Sequence, residues 1–197
     1  MTKFICETKN LSKKYKDFYA LKNVNLTIPK GEIYGLVGEN GAGKTTLIRL
    51  LTGLNFKSEG EIILFGHKDN LQHERSKIGC TIEMPALYKD MTASQNLEVQ
   101  RIQRGIPNKK CITDTLELIG LSNAGKKRVA NFSLGMKQRL ALGVALLGEP
   151  EFLILDEPVN GLDPTGIIEL RELLKKLVKE REVTILISSH ILSELHQ

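Results

Sequence analysis

Tryptophan is absent from this 197-residue chain, and so is any apolar run long enough to cross a membrane. The longest run, Leu140 to Gly148, is about half of the ~18 residues a spanning helix requires, and it is broken by Gly143. A membrane role would therefore have to go through a partner. Cysteine is scarce: Cys6, Cys80 and Cys111 are odd in number, widely spaced and without metal-type pairing. That argues against a disulfide framework or a cysteine metal site and fits a reduced, intracellular chain. The opening Met1-Thr2-Lys3-Phe4-Ile5-Cys6-Glu7 meets charge too early for a secretory signal. Internal repeats and low-complexity tracts are also missing. A strong charge imbalance is lacking too: the net charge is +5 and the pI about 9.0. Such a balance suits a phosphate ligand or an anionic membrane surface but is too mild to argue for nucleic acid, and no nucleic-acid partner is expected. Small clusters such as Lys126-Lys127-Arg128 read as solvated surface. What remains is an ordinary soluble composition, 41% hydrophobic and 26% charged, in a chain long enough for one core and a small inserted subdomain.

Against that plain background one segment stands out. Gly38-Glu39-Asn40-Gly41-Ala42-Gly43-Lys44-Thr45 fits the phosphate-loop pattern G-x-x-x-x-G-K-[ST] without a mismatch. Glu32 to Val37 before it reads as a short buried strand, and Thr46 to Leu51 after it as the first turns of a helix. Glycine lets the backbone wrap closely around phosphate oxygens, where a Cβ would collide. The loop N–H groups and the helix N-terminus point positive dipole at an anion. On this reading Gly38, Asn40, Gly41, Gly43 and Thr46 belong to the nucleotide cradle. Lys44 supplies a full charge for the β and γ phosphates, and the Thr45 hydroxyl is placed to ligate Mg²⁺. The expected cofactors are ATP and Mg²⁺.

Around this loop, short apolar runs alternate with helical patterns, as in a mostly parallel α/β sheet. Phe4 to Thr8 and Val24 to Ile28 are strand-like and are joined by a basic loop holding Tyr15, Phe18 and Tyr19, which suggests a small N-terminal antiparallel sheet. Glu61 to Leu64 and Ile78 to Ile82 read as further strands. From Pro85 to Gly148 the pattern turns helical. Thr92-Ala93-Ser94-Gln95 resembles a capping box, Ile112 to Ile119 has helical spacing and stops at Gly120, and Ser133 can cap a helix running to about Leu147. The expected domain is thus a core of residues 1–84 and 149–197 carrying the β subdomain, interrupted by a helical subdomain at 85–148. Pro164 after Asp163 opens another helix, with an apolar stripe of Ile167, Ile168, Leu170, Leu174, Leu177 and Val178. Val183 to Ile187 is the last strand.

A second constellation completes the chemistry. Phe152-Leu153-Ile154-Leu155-Asp156-Glu157-Pro158 runs apolar without alternation, as a buried parallel strand does, and ends in two carboxylates where ligands bind in open α/β sheets. Asp156 can hold Mg²⁺, and Glu157 is placed to orient or deprotonate an attacking water. Together with Lys44 these residues specify a nucleotide hydrolase.

Three more segments narrow the class. Asn131-Phe132-Ser133-Leu134-Gly135-Met136-Lys137-Gln138-Arg139 precedes the carboxylate pair, Asn160-Gly161-Leu162-Asp163-Pro164 follows it, and Ser188-Ser189-His190 ends the next strand. In this order the chain resembles the ATP-binding-cassette (ABC) ATPases over nearly its whole length. The segment around Ser133 and Gly135 is a variant of that family's signature loop, usually Leu-Ser-Gly-Gly-Gln, with Phe132 for the leucine and Leu134 for the first glycine.

The resemblance implies a phosphate-loop NTPase fold and a head-to-tail dimer of two cassettes around two ATP molecules, with Ser133 and Gly135 contacting nucleotide held by the partner. It implies Asp163 in the loop joining the two sites, His190 as the switch histidine at the γ-phosphate, and Tyr15 as the ring that stacks on adenine. It also implies a multi-span membrane permease as partner, and hence a cytoplasmic chain held peripherally at the inner membrane face.

Glu83 departs from the family pattern, which usually has glutamine there as a Mg²⁺ contact linked to the membrane subunit. An acid at this point resembles the branch that moves bacitracin- and lantibiotic-type peptides. Two other readings are weaker. A soluble cassette ATPase in translation or DNA maintenance lacks here its second cassette or its coiled coil, and a phosphate-loop kinase or GTPase lacks the Asn-Lys-x-Asp base-reading motif. Because cassettes of this family usually continue beyond the switch histidine, a C-terminally shortened domain is also expected.

Overall fold

The structure, a computed structural model, describes residues 3–82 and 87–190. Glu83 lies outside the described residues.

Two sheets organise the chain. Strands β1 (Phe4–Tyr15), β2 (Phe18–Pro29) and β4 (Glu59–Leu64) form an antiparallel sheet in the order β2-β1-β4. Strands β3 (Ile33–Val37), β5 (Ile78–Thr81), β6 (Phe152–Asp156) and β7 (Thr184–Ser189) form a parallel sheet in the order β3-β7-β6-β5. The expected basic loop around Tyr15 is mostly strand instead. Tyr15 pairs with Phe18 across the two-residue turn Lys16-Asp17, where Lys16 adopts φ 50°. Lysines on the solvent face disguised these strands as loop. They are accommodated there, with the Lys13 and Lys14 ammoniums 4.7 and 5.1 Å from the centres of the Tyr15 and Tyr19 rings.

The parallel sheet is packed on both faces. From one face Phe152, Ile154 and Leu186 meet helix α1 (Lys44–Leu51) and the antiparallel sheet. From the other, Leu153, Leu155, Ile185 and Ile187 meet helices α5 (Leu134–Leu146) and α6 (Pro164–Arg181). Every residue of β6 is buried, as its unbroken apolar run requires. β3 departs from expectation. It pairs only with β7 among the described residues, so it stands at the sheet edge with Ile33 41% and Val37 39% exposed.

Between β5 and β6 in sequence lie α3 (Ala93–Gln103), α4 (Cys111–Leu118) and α5. Their starts follow the local chemistry. Thr92 and Gln95 satisfy each other's backbone N–H groups in a capping box, and Ser133 Oγ accepts from the Met136 N–H at 3.2 Å. Pro164 occupies the first turn of α6, whose inner face is Leu170, Leu174 and Leu177. Ile168, expected in that stripe, is 59% exposed, because it falls on the outer side of the helix. The short helix α2 (Leu71–Arg75) had no clear signal in the sequence. Its Arg75 guanidinium donates to the Leu51 and Leu50 carbonyls at the end of α1, at 3.1 and 3.3 Å. Among the described residues no helix is long and apolar enough to cross a membrane.

Candidate functional site

The parallel register brings the C-terminal ends of three strands side by side. Val37 pairs with Ser189, and Asp156 with Ser188. The loop after β3, the carboxylates after β6 and the histidine after β7 therefore converge at one edge of the sheet, the place where such sheets bind ligands.

The loop from Gly38 to Gly43 turns back on itself before α1. Ala42 N–H donates to the Glu39 carbonyl at 3.1 Å, and Gly38 N–H to the Ser189 carbonyl at 3.3 Å. Gly43, the N-cap of α1, has φ 92°, and a Cβ there would meet the Ala20 carbonyl of β2 at 2.6 Å. Glycine is thus required at 43 by both conformation and space. Gly41 also has positive φ, but a Cβ there would meet nothing within 4 Å, so the loop's outer side is open. Asn40 lies exposed on it, and Thr46 is half-buried in the first turn of α1.

Behind the loop sits a compact polar cluster. The buried Lys44 ammonium donates to the carbonyls of Gly38 and Glu39 at 2.7 and 3.1 Å and stands 3.5 Å from Glu157 Oε1. Thr45 Oγ1 donates to Asp156 Oδ2 at 2.7 Å, and Ser188 Oγ donates to Asp156 Oδ1 at 2.5 Å. Glu157 is held from several sides. Its backbone N–H donates to Ser188 Oγ at 2.9 Å, Asn160 Nδ2 donates to its Oε2 at 2.6 Å, and His190 Nδ1 lies 3.2 Å from the same oxygen. Burial pushes the Glu157 carboxyl upward, but the Asn160 hydrogen bond and the His190 and Lys44 charges outweigh it and hold the group below the usual carboxylate range.

The donor set fits a small hard cation beside phosphate. A hydroxyl and a carboxylate oxygen already meet at Thr45 and Asp156, next to a lysine and a loop of backbone N–H groups. The cluster continues into a cavity of about 1070 Å³ whose lining includes Thr45, Asp156, Glu157, Ser133, Gly135 and Asp163. Ser133 and Asp163 also have jobs within the chain, since each caps its own helix; the Asp163 carboxylate accepts from the Gly166 N–H at 3.1 Å. Tyr15 is not part of that lining. Its ring is 46% exposed at the end of β1, and its hydroxyl accepts from the Asn55 amide.

Two members of the cluster went unassigned in the sequence. Ser188 is legible there only as the end of a strand, and Asn160 only as part of the segment that follows the carboxylate pair. Their partners lie 32 and 3 residues away, and only the first could have been guessed, from the β6–β7 register.

These features define a phosphate-loop nucleotide-binding domain with paired carboxylates at its sheet edge. The profile of the ABC transporter family matches residues 21–160, and the chain belongs to that family. It is 46% identical over 98% of its length to the bacitracin transport ATP-binding protein BcrA of Enterococcus faecalis. It spans only 64% of that relative's length. It is 48% identical over 94% of its length, and over 80% of the relative's, to the lantibiotic transport ATP-binding protein SrtF of Streptococcus pyogenes. Among solved structures it is similar to a dimeric ATP-binding cassette in a post-hydrolysis state bound to ADP and Pi, with a TM-score of 0.84 and 29% identity over 96% of this chain and 89% of that one.

Proposed function

We propose that this chain is the ATP-binding and ATP-hydrolysing subunit of a transporter whose separate membrane permease exports, or confers immunity to, a bacitracin- or lantibiotic-type peptide. One observation carries the hydrolase reading: the Thr45–Asp156 oxygen pair at 2.7 Å stands beside the Lys44–Glu157 contact at 3.5 Å. The peptide-antibiotic branch rests on the likeness to the BcrA and SrtF proteins, whose names state those cargoes.

On this reading Lys44, Gly38, Asn40, Gly41, Gly43 and Thr46 cradle the phosphates of ATP, and Thr45 and Asp156 hold Mg²⁺. When bound there, ATP would supply the phosphoryl group and Mg²⁺ would offset the charge that develops on it. Glu157, kept ionised by its neighbours, accepts a proton from the attacking water and orients it. Lys44 and His190 stand against opposite oxygens of that carboxylate, and His190 serves as the switch histidine at the γ-phosphate. Tyr15 presents an exposed ring for the base. Ser133, Gly135 and Asp163 serve a neighbouring cassette, and Glu83 serves the metal and the permease. The chain then works at the cytoplasmic face of the membrane, held there by its permease.

The test is co-purification with a multi-span membrane protein, followed by ATP turnover and bacitracin or lantibiotic susceptibility of cells lacking the gene. Turnover, a bound permease and raised susceptibility are expected. Turnover with no permease bound would favour a soluble cassette ATPase.

A further inference from the structure

Two amide side chains at the cluster are unused by the reading above, and they are linked through the backbone carbonyl of Asn160. Glu157 follows β6 directly and has φ 47°, so its backbone is turned sharply out of the strand. Its carboxylate has one oxygen near Lys44 and the other against both Asn160 and His190. The Asn160 carbonyl, in turn, accepts from Gln138 Nε2 of α5 at 2.6 Å. Because a carbonyl can only accept, the Gln138 amide cannot be reversed there, and its own Oε1 is left buried without a hydrogen-bond partner among the described residues. An unpaired buried oxygen is unfavourable, so this orientation is held in spite of it.

We infer that Asn160 is a positioning residue for the Glu157 carboxylate and that Gln138 fixes Asn160, so that helix α5 and the proposed general base are mechanically tied within one chain. The turn itself does not need the Asn160 side chain, because backbone bonds from Asn160 N–H to the Glu157 carbonyl and from Leu162 N–H to the Val159 carbonyl already close it, at 3.2 and 3.1 Å. What the amide adds is aim. A free glutamate side chain explores several rotamers, and a donor at 2.6 Å on one oxygen selects one of them. Movement of α5 pulls on the Asn160 carbonyl through Gln138 and so displaces the carboxylate. A misplacement of about 1 Å at a reacting centre is enough for a roughly 10²-fold loss of rate.

This inference rests on the ATPase reading, and the experiment separates the two. Steady-state ATPase is measured on the full-length protein with its permease for wild type, Asn160→Ala, Asn160→Asp, Gln138→Glu and the double variant Asn160→Ala/Gln138→Glu, with urea midpoints for each. Asn160→Ala should lower kcat about 10- to 100-fold while KM for ATP stays within about twofold, as expected when positioning rather than binding is lost. Asn160→Asp keeps the shape but turns a donor into a second carboxylate facing Glu157, and should be worse than alanine. Gln138→Glu removes the donor to Asn160 and should lower kcat by a smaller factor, and the double variant should be no worse than Asn160→Ala alone. Wild type that turns over ATP while Asn160→Ala keeps half its kcat or more would overturn the inference and leave the ATPase reading standing. So would losses that simply multiply, or an aspartate variant as active as wild type. Gln138→Glu lies outside the turn and decides the matter if the Asn160 variants do not fold: unchanged kcat there overturns the coupling. Wild type with no turnover would overturn both.

Discussion

At the scale of single residues, the cluster separates groups that hold nucleotide from a group that acts on water. Glu157→Gln should leave ATP binding intact and slow hydrolysis by ~10²–10⁴, the usual worth of a general base. Lys44→Ala should instead weaken nucleotide binding, since it removes the one ammonium that the loop carbonyls of Gly38 and Glu39 concentrate at the cradle. Equilibrium binding of a fluorescent ATP analogue beside single-turnover hydrolysis distinguishes these outcomes. Equal loss of binding in both variants would remove Glu157 from the catalytic role.

A different residue-scale effect concerns Cys6, sealed between β2 and β4. Burial, with a smaller push from Glu7, raises its thiol pKa from 9.0 to about 12. Above pH 9.0 the unfolded chain loses this proton while the folded chain keeps it, so the folded state binds more protons and stability falls as pH rises toward 12. Urea unfolding across that range should show this alkaline loss, and Cys6→Ala should flatten it. A thiol reagent should label Cys6 last in the folded protein.

At the scale of elements, α5 owes its position to a glycine in the neighbouring strand. A Cβ on Gly79 of β5 would lie 2.2 Å from the Ala145 carbonyl of α5 and 2.9 Å from Pro150 Cγ. Backbone cannot yield as a flexible side chain can, so Gly79→Ala must push the helix off the sheet, at a cost of ~1–3 kcal/mol. A lower urea midpoint with unchanged slope would report it. An unchanged midpoint would mean that α5 is not seated on β5 as described.

The elements also show what could be read in advance. The starts of α3, α5 and α6 were legible because a Thr, Ser or Asp cap and a proline act locally, within one turn. The lengths of β1 and β2 were not, because solvent-facing lysines at the hairpin look the same in a strand as in a loop. β3 reads as buried in the sequence but is an edge strand for a related reason: an apolar run does not say whether it lies inside a sheet or at its edge. The phosphate loop and carboxylate pair were visible as motifs, whereas Ser188 gains its meaning only when β7 is laid beside β6. Asn160 required knowing that Glu157 leaves the strand in a left-handed turn.

At the scale of the whole molecule, the open question is which cassette the signature residues serve. Ser133 and Gly135 line the same cavity as their own Thr45, Asp156 and Glu157, which offers a route within one chain, whereas the proposed head-to-tail dimer has them act on a partner's nucleotide. Gly135 separates the alternatives. A Cβ there would meet only Leu162 Cδ2 at 3.5 Å among the described residues, an ordinary contact, and its φ is not positive, so nothing among the described residues demands glycine. It lies in the first turn of α5, where an acidic side chain is favourable by ~0.3–1 kcal/mol. Gly135→Asp should therefore fold at least as stably as wild type, yet abolish ATPase activity by setting a negative charge against phosphate. Mixing then tells cis from trans. Gly135→Asp chains keep an intact phosphate loop, and Lys44→Ala chains keep an intact signature. In a head-to-tail pair one of the two composite sites is whole, so two inactive preparations should regain activity when mixed, approaching a quarter of the wild-type rate if the chains pair at random and the sites work independently. If signature and phosphate loop serve each other within one chain, every site in the mixture stays broken and no activity returns.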